Sequence, residues 1–137
     1  MDIEGALAFV RDHHRGVLAT KGPGGGVRQS PIVAAADDEG HIVISSREGA
    51  YKTRYLREDP WAQVCIFTND FFGPWMWAEG AAHILSLPEA MEPLVDYRGR
   101  FADAVGMDWD DYRARMERER RVLIRITPTK VGPTKMG

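Results

Sequence analysis

Residues 41–68 read HIVISS, REGAYKTRYLREDP and WAQVCIFT, and the fold of the chain turns on this stretch. HIVISS (41–46) and AQVCIF (62–67) are short runs rich in β-branched residues and bounded by turn formers, which suits strands with at least one buried face. Between them Lys52, Arg54 and Arg57 stand among Tyr51, Tyr55 and Leu56, a short basic helix. Asp59-Pro60 stops it, because a residue before proline is driven out of the helical region. Ser45, Ser46, Lys52 and Thr53 therefore gather where a strand end meets a helix N-terminus. Hydroxyls, free backbone N–H groups and an ammonium at such a junction make a cradle for a phosphate. The competing interpretation is a solvated basic helix without a ligand.

Working outward toward the N-terminus, VRQSPIVAAAD (27–37) reads as a strand in which Arg28, Ser30, Ile32 and Ala34 share one face. Pro31 within it points to an edge or a bulge. GVLAT is a further strand, and KGPGGG between the two is a hairpin turn rather than a phosphate loop, since no Lys-Ser/Thr follows the glycines. Residues 3–12 place Ile3, Ala6, Leu7 and Val10 at helical spacing. His13 and His14 follow. They invite a metal, but no other ligand stands at a suitable spacing and His41 and His83 are isolated, so no metal site is expected.

Toward the C-terminus, WAQVCIFT and WMWAEGAAHIL flank the turn NDFFGP as a hairpin. Trp75 and Trp77 have the same parity and project from one face, beside Phe71 and Phe72. One of them is expected in the core; large aromatics by a loop also suit a flat ring. Gly80 and the alanines after it allow a backbone or ligand to approach closely. Leu94, Tyr97, Phe101 and Val105 recur as one helical stripe, Asp108 caps a second helix, and the mixed run RARMERERR reads as a solvated face. RVLIRITP is the closing strand, and the tail KVGPTKMG is ordered only if it packs on something.

The whole chain has 137 residues, 44% hydrophobic and 28% charged, with a net charge of −2, which fits one soluble domain over 1–137 and argues against a nucleic-acid binder. The single cysteine, Cys65, excludes an internal disulfide, suits the cytoplasm and is expected as a small buried core residue. No signal peptide and no membrane span are expected. No nucleophile–base pair, zinc-spaced cluster or paired carboxylate stands out, so no catalytic residue is named. If the protein is an enzyme, a bound cofactor carries the chemistry while the protein grips and orients it.

The order Gly-rich turn, strand, strand ending in serines, then G-A-Y-K-T-R-Y-L-R-E-D-P resembles the pyridoxamine 5′-phosphate oxidase-like split-barrel superfamily. K-T-R-x-L-x-x-D-P, W-A-E-G-A-A, and D-W-D-D-Y-R followed by R-R-V-L-I-R-I-T-P are similar to one branch of it, the actinobacterial oxidoreductases that use the deazaflavin coenzyme F420. The resemblance runs from Ala19 to Pro128. It implies a mainly β (α+β) fold, a split β-barrel of the FMN-binding kind with peripheral helices, paired as a homodimer with the cofactor between subunits. By position it assigns Ser45, Ser46, Lys52 and Thr53 to the phosphate, Arg28, Gln29, Ser30 and Pro31 to the strand beside the ring, and Trp75 and Trp77 to the strand facing it. Branch relatives often carry an arginine just before K-T-R, where this chain has Ala50-Tyr51; Arg47 or Arg54 is the candidate replacement.

The reaction so implied is hydride transfer between reduced deazaflavin and a conjugated C=C or C=N bond of a small planar molecule, the proton coming from solvent. A flavin mononucleotide (FMN) enzyme and a non-catalytic F420 or flavin carrier or sensor are the alternatives. Flavin oxidases of the superfamily carry an arginine and then a lysine on the second strand; here no cation follows Arg28 on Ser30-Pro31-Ile32-Val33-Ala34-Ala35-Ala36. A thinner clamp centred on Lys52 fits a singly charged phosphodiester better than a phosphomonoester. The acidic tail of F420 is expected to run past Lys21, Arg47 or Arg54.

Overall fold

A computed structural model describes residues 1–133. The elements are α1 (Ile3–Asp12), β1 (Arg15–Lys21), β2 (Val27–Ala36), β3 (Ile42–Arg47), α2 (Tyr51–Glu58), β4 (Trp61–Phe67), β5 (Trp75–Leu85), α3 (Met91–Phe101), α4 (Trp109–Arg118) and β6 (Arg121–Gly132). All neighbouring strands are antiparallel and close a barrel in the order β1-β2-β3-β6-β5-β4. The expected split β-barrel with peripheral helices is the architecture observed.

Alternation along the strands builds two cores. On β4, Ala62, Val64 and Ile66 point into the barrel while Trp61, Gln63, Cys65 and Phe67 point out. Ala6, Leu7 and Val10 of α1 complete the barrel interior; the helix starts where the Asp2 carboxylate accepts the Gly5 N–H at 2.7 Å. The second core lies outside the barrel. Ala35, Val43 and Leu123 face outward from β2, β3 and β6, and Leu94 and Tyr97 of α3 with Tyr112 and Met116 of α4 cover them. The rest of the outer wall exposes Val27, Val33 and Trp75.

The split has a visible cause. β2 pairs with β3 only through Ala34–Ala36 against Ile44–Ile42. The next pair in register would be Val33 with Ser45, and there the Tyr97 hydroxyl intervenes. It donates to the Val33 carbonyl at 2.8 Å, and its own oxygen faces the Ser45 backbone N–H. A phenol stands where a ladder hydrogen bond would be. Beyond it the first half of β2 has no partner on the β3 side among the described residues, which accommodates Pro31 without loss of a donor: the edge position expected of it.

Several expectations change. α3 ends at Phe101, so Val105 is 90% exposed and not part of its stripe; the Asp103 carboxylate accepts the Val105 N–H at 2.9 Å, an Asx-type turn that diverts the chain. Cys65 is half-buried on the outer wall beside Trp77 rather than in the core, and burial pushes its thiol pKa up. The close approach at Gly80 is by backbone: a β-bulge there brings the Thr127 carbonyl so near that a Cβ would stand 1.8 Å from it. Lys130, Val131 and Gly132 are ordered by pairing with β5, while residues 134–137 of the tail lie outside the described residues.

Candidate functional site

Where β2 leaves β3, a cavity of about 570 Å³ opens, floored by Pro31, Val33 and Ser45 and roofed by α3 and α4. Lys52 reaches it from the second position of α2. A smaller cavity of about 250 Å³ adjoins through the same Lys52 and is lined by Arg28, Gln29, Ser30 and Tyr51. The structure thus brings Arg28, Gln29, Ser30, Pro31, Ser45 and Lys52 together around one ammonium.

The charge in the larger cavity is one-sided. Among the described residues, Arg47, Lys52, Arg98, Arg115 and Arg121 line it against a single carboxylate, Glu119, which is already bonded to Arg121 at 2.8 Å and lies 3.6 Å from Arg47. Burial, and then the nearby Arg121 charge, hold the Lys52 pKa below the ordinary lysine value. The Nη1 of Arg98 is buried and has no hydrogen-bond partner among the described residues, and its guanidinium rests on the Phe101 ring at 5.3 Å. At the start of α2, Ala50 offers no side-chain cap, leaving its first N–H groups for another acceptor. A buried unpartnered donor, a desolvated lysine and surplus positive charge suit an anionic ligand. Tyr97 is neutral here, its pKa pushed up to about 12, chiefly by burial.

Ser46 and Thr53 lie beneath this cavity rather than in it. Thr53 is fully buried; its hydroxyl donates to the Arg47 carbonyl at 2.7 Å and lies 2.9 Å from the Ser46 hydroxyl. The pair ties α2 to β3. Arg54 is exposed and sits over the Tyr51 ring at 5.7 Å, and Lys21 sits over Trp61 at 4.8 Å, so of the three expected tail contacts only Arg47 lines the cavity. Trp75 and Trp77 project from one face as expected, but not beside Lys52. Pro31, Val17, Cys65 and Trp77 are successive cross-strand partners on the outer wall. Three strand spacings put Trp77 roughly 14 Å from Pro31 within one chain. Its indole occupies the space left by Gly132, where a Cβ would stand 2.4 Å from the ring nitrogen.

Arg98, Arg115 and Arg121 were not legible as site residues. The run RARMERERR looks solvated, yet Arg115 and Glu119 turn onto the cavity because Tyr112 and Met116 anchor that flank of α4. The available signal was adjacency: Arg98 follows buried Tyr97, and Arg115 precedes buried Met116.

The pyridoxamine 5′-phosphate oxidase family profile matches residues 4–135. Among solved structures, a conserved hypothetical protein from Mycobacterium tuberculosis is 23% identical, with 100% of this chain and 92% of that one covered and a TM-score of 0.71. A structure named F420 reductase is 18% identical over 91% and 94% of the two chains, with a TM-score of 0.65. A Listeria innocua protein provisionally assigned as a pyridoxamine 5′-phosphate oxidase is 16% identical over 95% of each chain, TM-score 0.67. At such identities these structures establish the fold, and the profile match, spanning nearly the whole chain, establishes the kinship. The chain belongs to the pyridoxamine 5′-phosphate oxidase family, which includes oxidases and reductases and binds flavin or deazaflavin cofactors.

Proposed function

We propose that this protein is an oxidoreductase dependent on the deazaflavin coenzyme F420, acting as a cytoplasmic homodimer on a small planar molecule with a conjugated C=C or C=N bond. The observation that carries this is the cavity at the β2–β3 split, with five cations against one carboxylate and an unpartnered Arg98 Nη1. Lys52, Ser45 and the open start of α2 would hold the phosphate, and Ser46 and Thr53 would set the position of Lys52 by fastening α2 to β3. Arg28, Gln29, Ser30 and Pro31 would flank the ring along the free edge of β2. When bound, the coenzyme supplies or accepts a hydride.

The cations on α3, α4 and β6 alter the charge argument made from β2 alone. The clamp is not thin: a phosphodiester leaves most of it unsatisfied, and so does the near-dianion of FMN. A phosphodiester followed by a tail of carboxylates uses Arg98, Arg115 and Arg121 as well. FMN is the second reading for the same cavity, favoured by the family match to a flavin oxidase. Exposed Trp75 and half-exposed Trp77 lie too far from Lys52 within one chain, so their contact with the ring would come from the partner subunit, across the paired outer walls.

Turnover tests the reading. Reduced F420 should be oxidised in the presence of a panel of conjugated acceptors and not in their absence. Tight binding with no turnover on any acceptor would favour a carrier or sensor of the cofactor.

A further inference from the structure

A third cavity, of about 370 Å³, opens beside the first. Val33 and Phe101 wall both, so the two are neighbours across the free edge of β2 and the end of α3. The remaining lining comes from the α1–β1 junction, with Asp12, His13, His14 and Arg15, and from the end of β4, with Phe67 and Asn69. Nothing in the cofactor reading uses these groups.

His14 is held at two points. Its carbonyl accepts the Ala34 N–H at 2.7 Å, and its ring Nδ1 lies 2.9 Å from the Ala34 carbonyl. A carbonyl oxygen only accepts, so Nδ1 carries the hydrogen and Nε2 is left as the free nitrogen. The charged or titratable groups around it are Asp12 at the end of α1, His13 just after it and Arg15 from β1. Phe67, Phe101 and Val33 provide flat apolar walls, while the Arg15 guanidinium and Asn69 amide provide polar handles. The volume is at the lower end of the range for small-molecule sites.

We propose that this cavity seats the acceptor substrate, a small, flat, conjugated carbonyl or carboxylate compound, and that His14 Nε2 delivers the proton its reduction requires. The proposal rests on the oxidoreductase reading above. Adding a hydride to the far carbon of the conjugated bond reduces the acceptor by two electrons, taken from the reduced cofactor, which is oxidised. The π pair moves toward the carbonyl, and one proton must neutralise the charge. His14 first takes a proton from solvent at its free Nε2, and that Nε2–H bond breaks as the acceptor takes the proton.

The test begins on the cofactor-free protein, labelled with ¹⁵N-histidine and titrated with trans-cinnamate as probe. Long-range correlations should show His14 protonated at Nδ1 and its Nε2 shifting saturably. Arg15→Gln should weaken that binding by about tenfold, the scale of one charge-assisted contact, while excess inorganic phosphate should leave the shift in place. Absence of a saturable His14 shift, or displacement of cinnamate by phosphate, overturns the site; neither depends on F420 binding, which fails or holds separately. For the proton, an acceptor that saturates the His14 shift should be reduced roughly a hundredfold more slowly by His14→Gln, with F420 affinity kept. Equal rates for the two proteins, including none in either, overturn the role of His14.

Discussion

Lys52 is a cation held among cations. Burial, and then Arg121, disfavour its charged form, so its folded-state pKa lies below the unfolded one. The sign follows: the folded state is penalised while Lys52 is charged, and stability rises with pH through that window. An anion reverses the preference, because it binds the charged form. Cofactor affinity should hold near neutral pH and fall at a pH below that at which an ordinary lysine loses its proton, as calorimetric titrations from neutral to alkaline pH would show. Lys52→Ala should weaken F420 binding by roughly ten- to a hundredfold, the worth of one charge-assisted hydrogen bond, with an almost unchanged melting temperature. An unchanged affinity would put the phosphate elsewhere, with Arg47 or Arg98 next in line. Tyr97 acts on the other wall. Tyr97→Phe removes the oxygen set between Val33 and Ser45 and should cost about 1–3 kcal/mol in urea unfolding, because two backbone groups lose their partner.

Among the elements, β3, α2 and β4 were the most legible, since a run of β-branched residues and an Asp-Pro stop are local signals. What their side chains touch was not. Ser46 and Thr53 read as phosphate ligands because hydroxyls at a helix start so often are, but each has a partner set by the packing of α2 against β3. Thr53→Val keeps the shape and leaves the Arg47 carbonyl and Ser46 hydroxyl without that partner. A loss of about 1–3 kcal/mol in stability is expected, and the decline in F420 affinity should be smaller than for Lys52→Ala. The reverse ranking would make Thr53 a direct ligand. α3 and α4 show the same limit. Their apolar stripes predicted which faces are buried, but three cationic side chains beside those stripes acquire a role only once both helices lie over the β2–β3 gap.

For the whole molecule, the barrel was legible because the strand signals of six runs and the turn chemistry of three hairpins agree with each other, whereas the cavity exists only through strands distant in sequence. The proposed dimer would form on the outer wall. Trp75 is 41% exposed, Phe71 71% and Phe72 92%, on and beside a sheet face that also exposes Val27 and Val33. A second copy of this chain would cover them, with roughly 800 Å² per partner needed for a stable pair. Light scattering at micromolar concentration should give the dimer mass, and Trp75→Arg should shift the protein toward monomer; a wild-type monomer would remove the partner's tryptophans from the site. In the proposed function the cation-lined cavity at the split takes a phosphodiester with an acidic tail. Parallel calorimetric titrations of the cofactor-free protein with F420 and FMN test it most directly. F420 should bind at least about tenfold tighter, roughly 1.4 kcal/mol, with that advantage reduced in Arg98→Gln and Arg115→Gln. Equal or reversed affinities, or an advantage indifferent to both arginines, would contradict it.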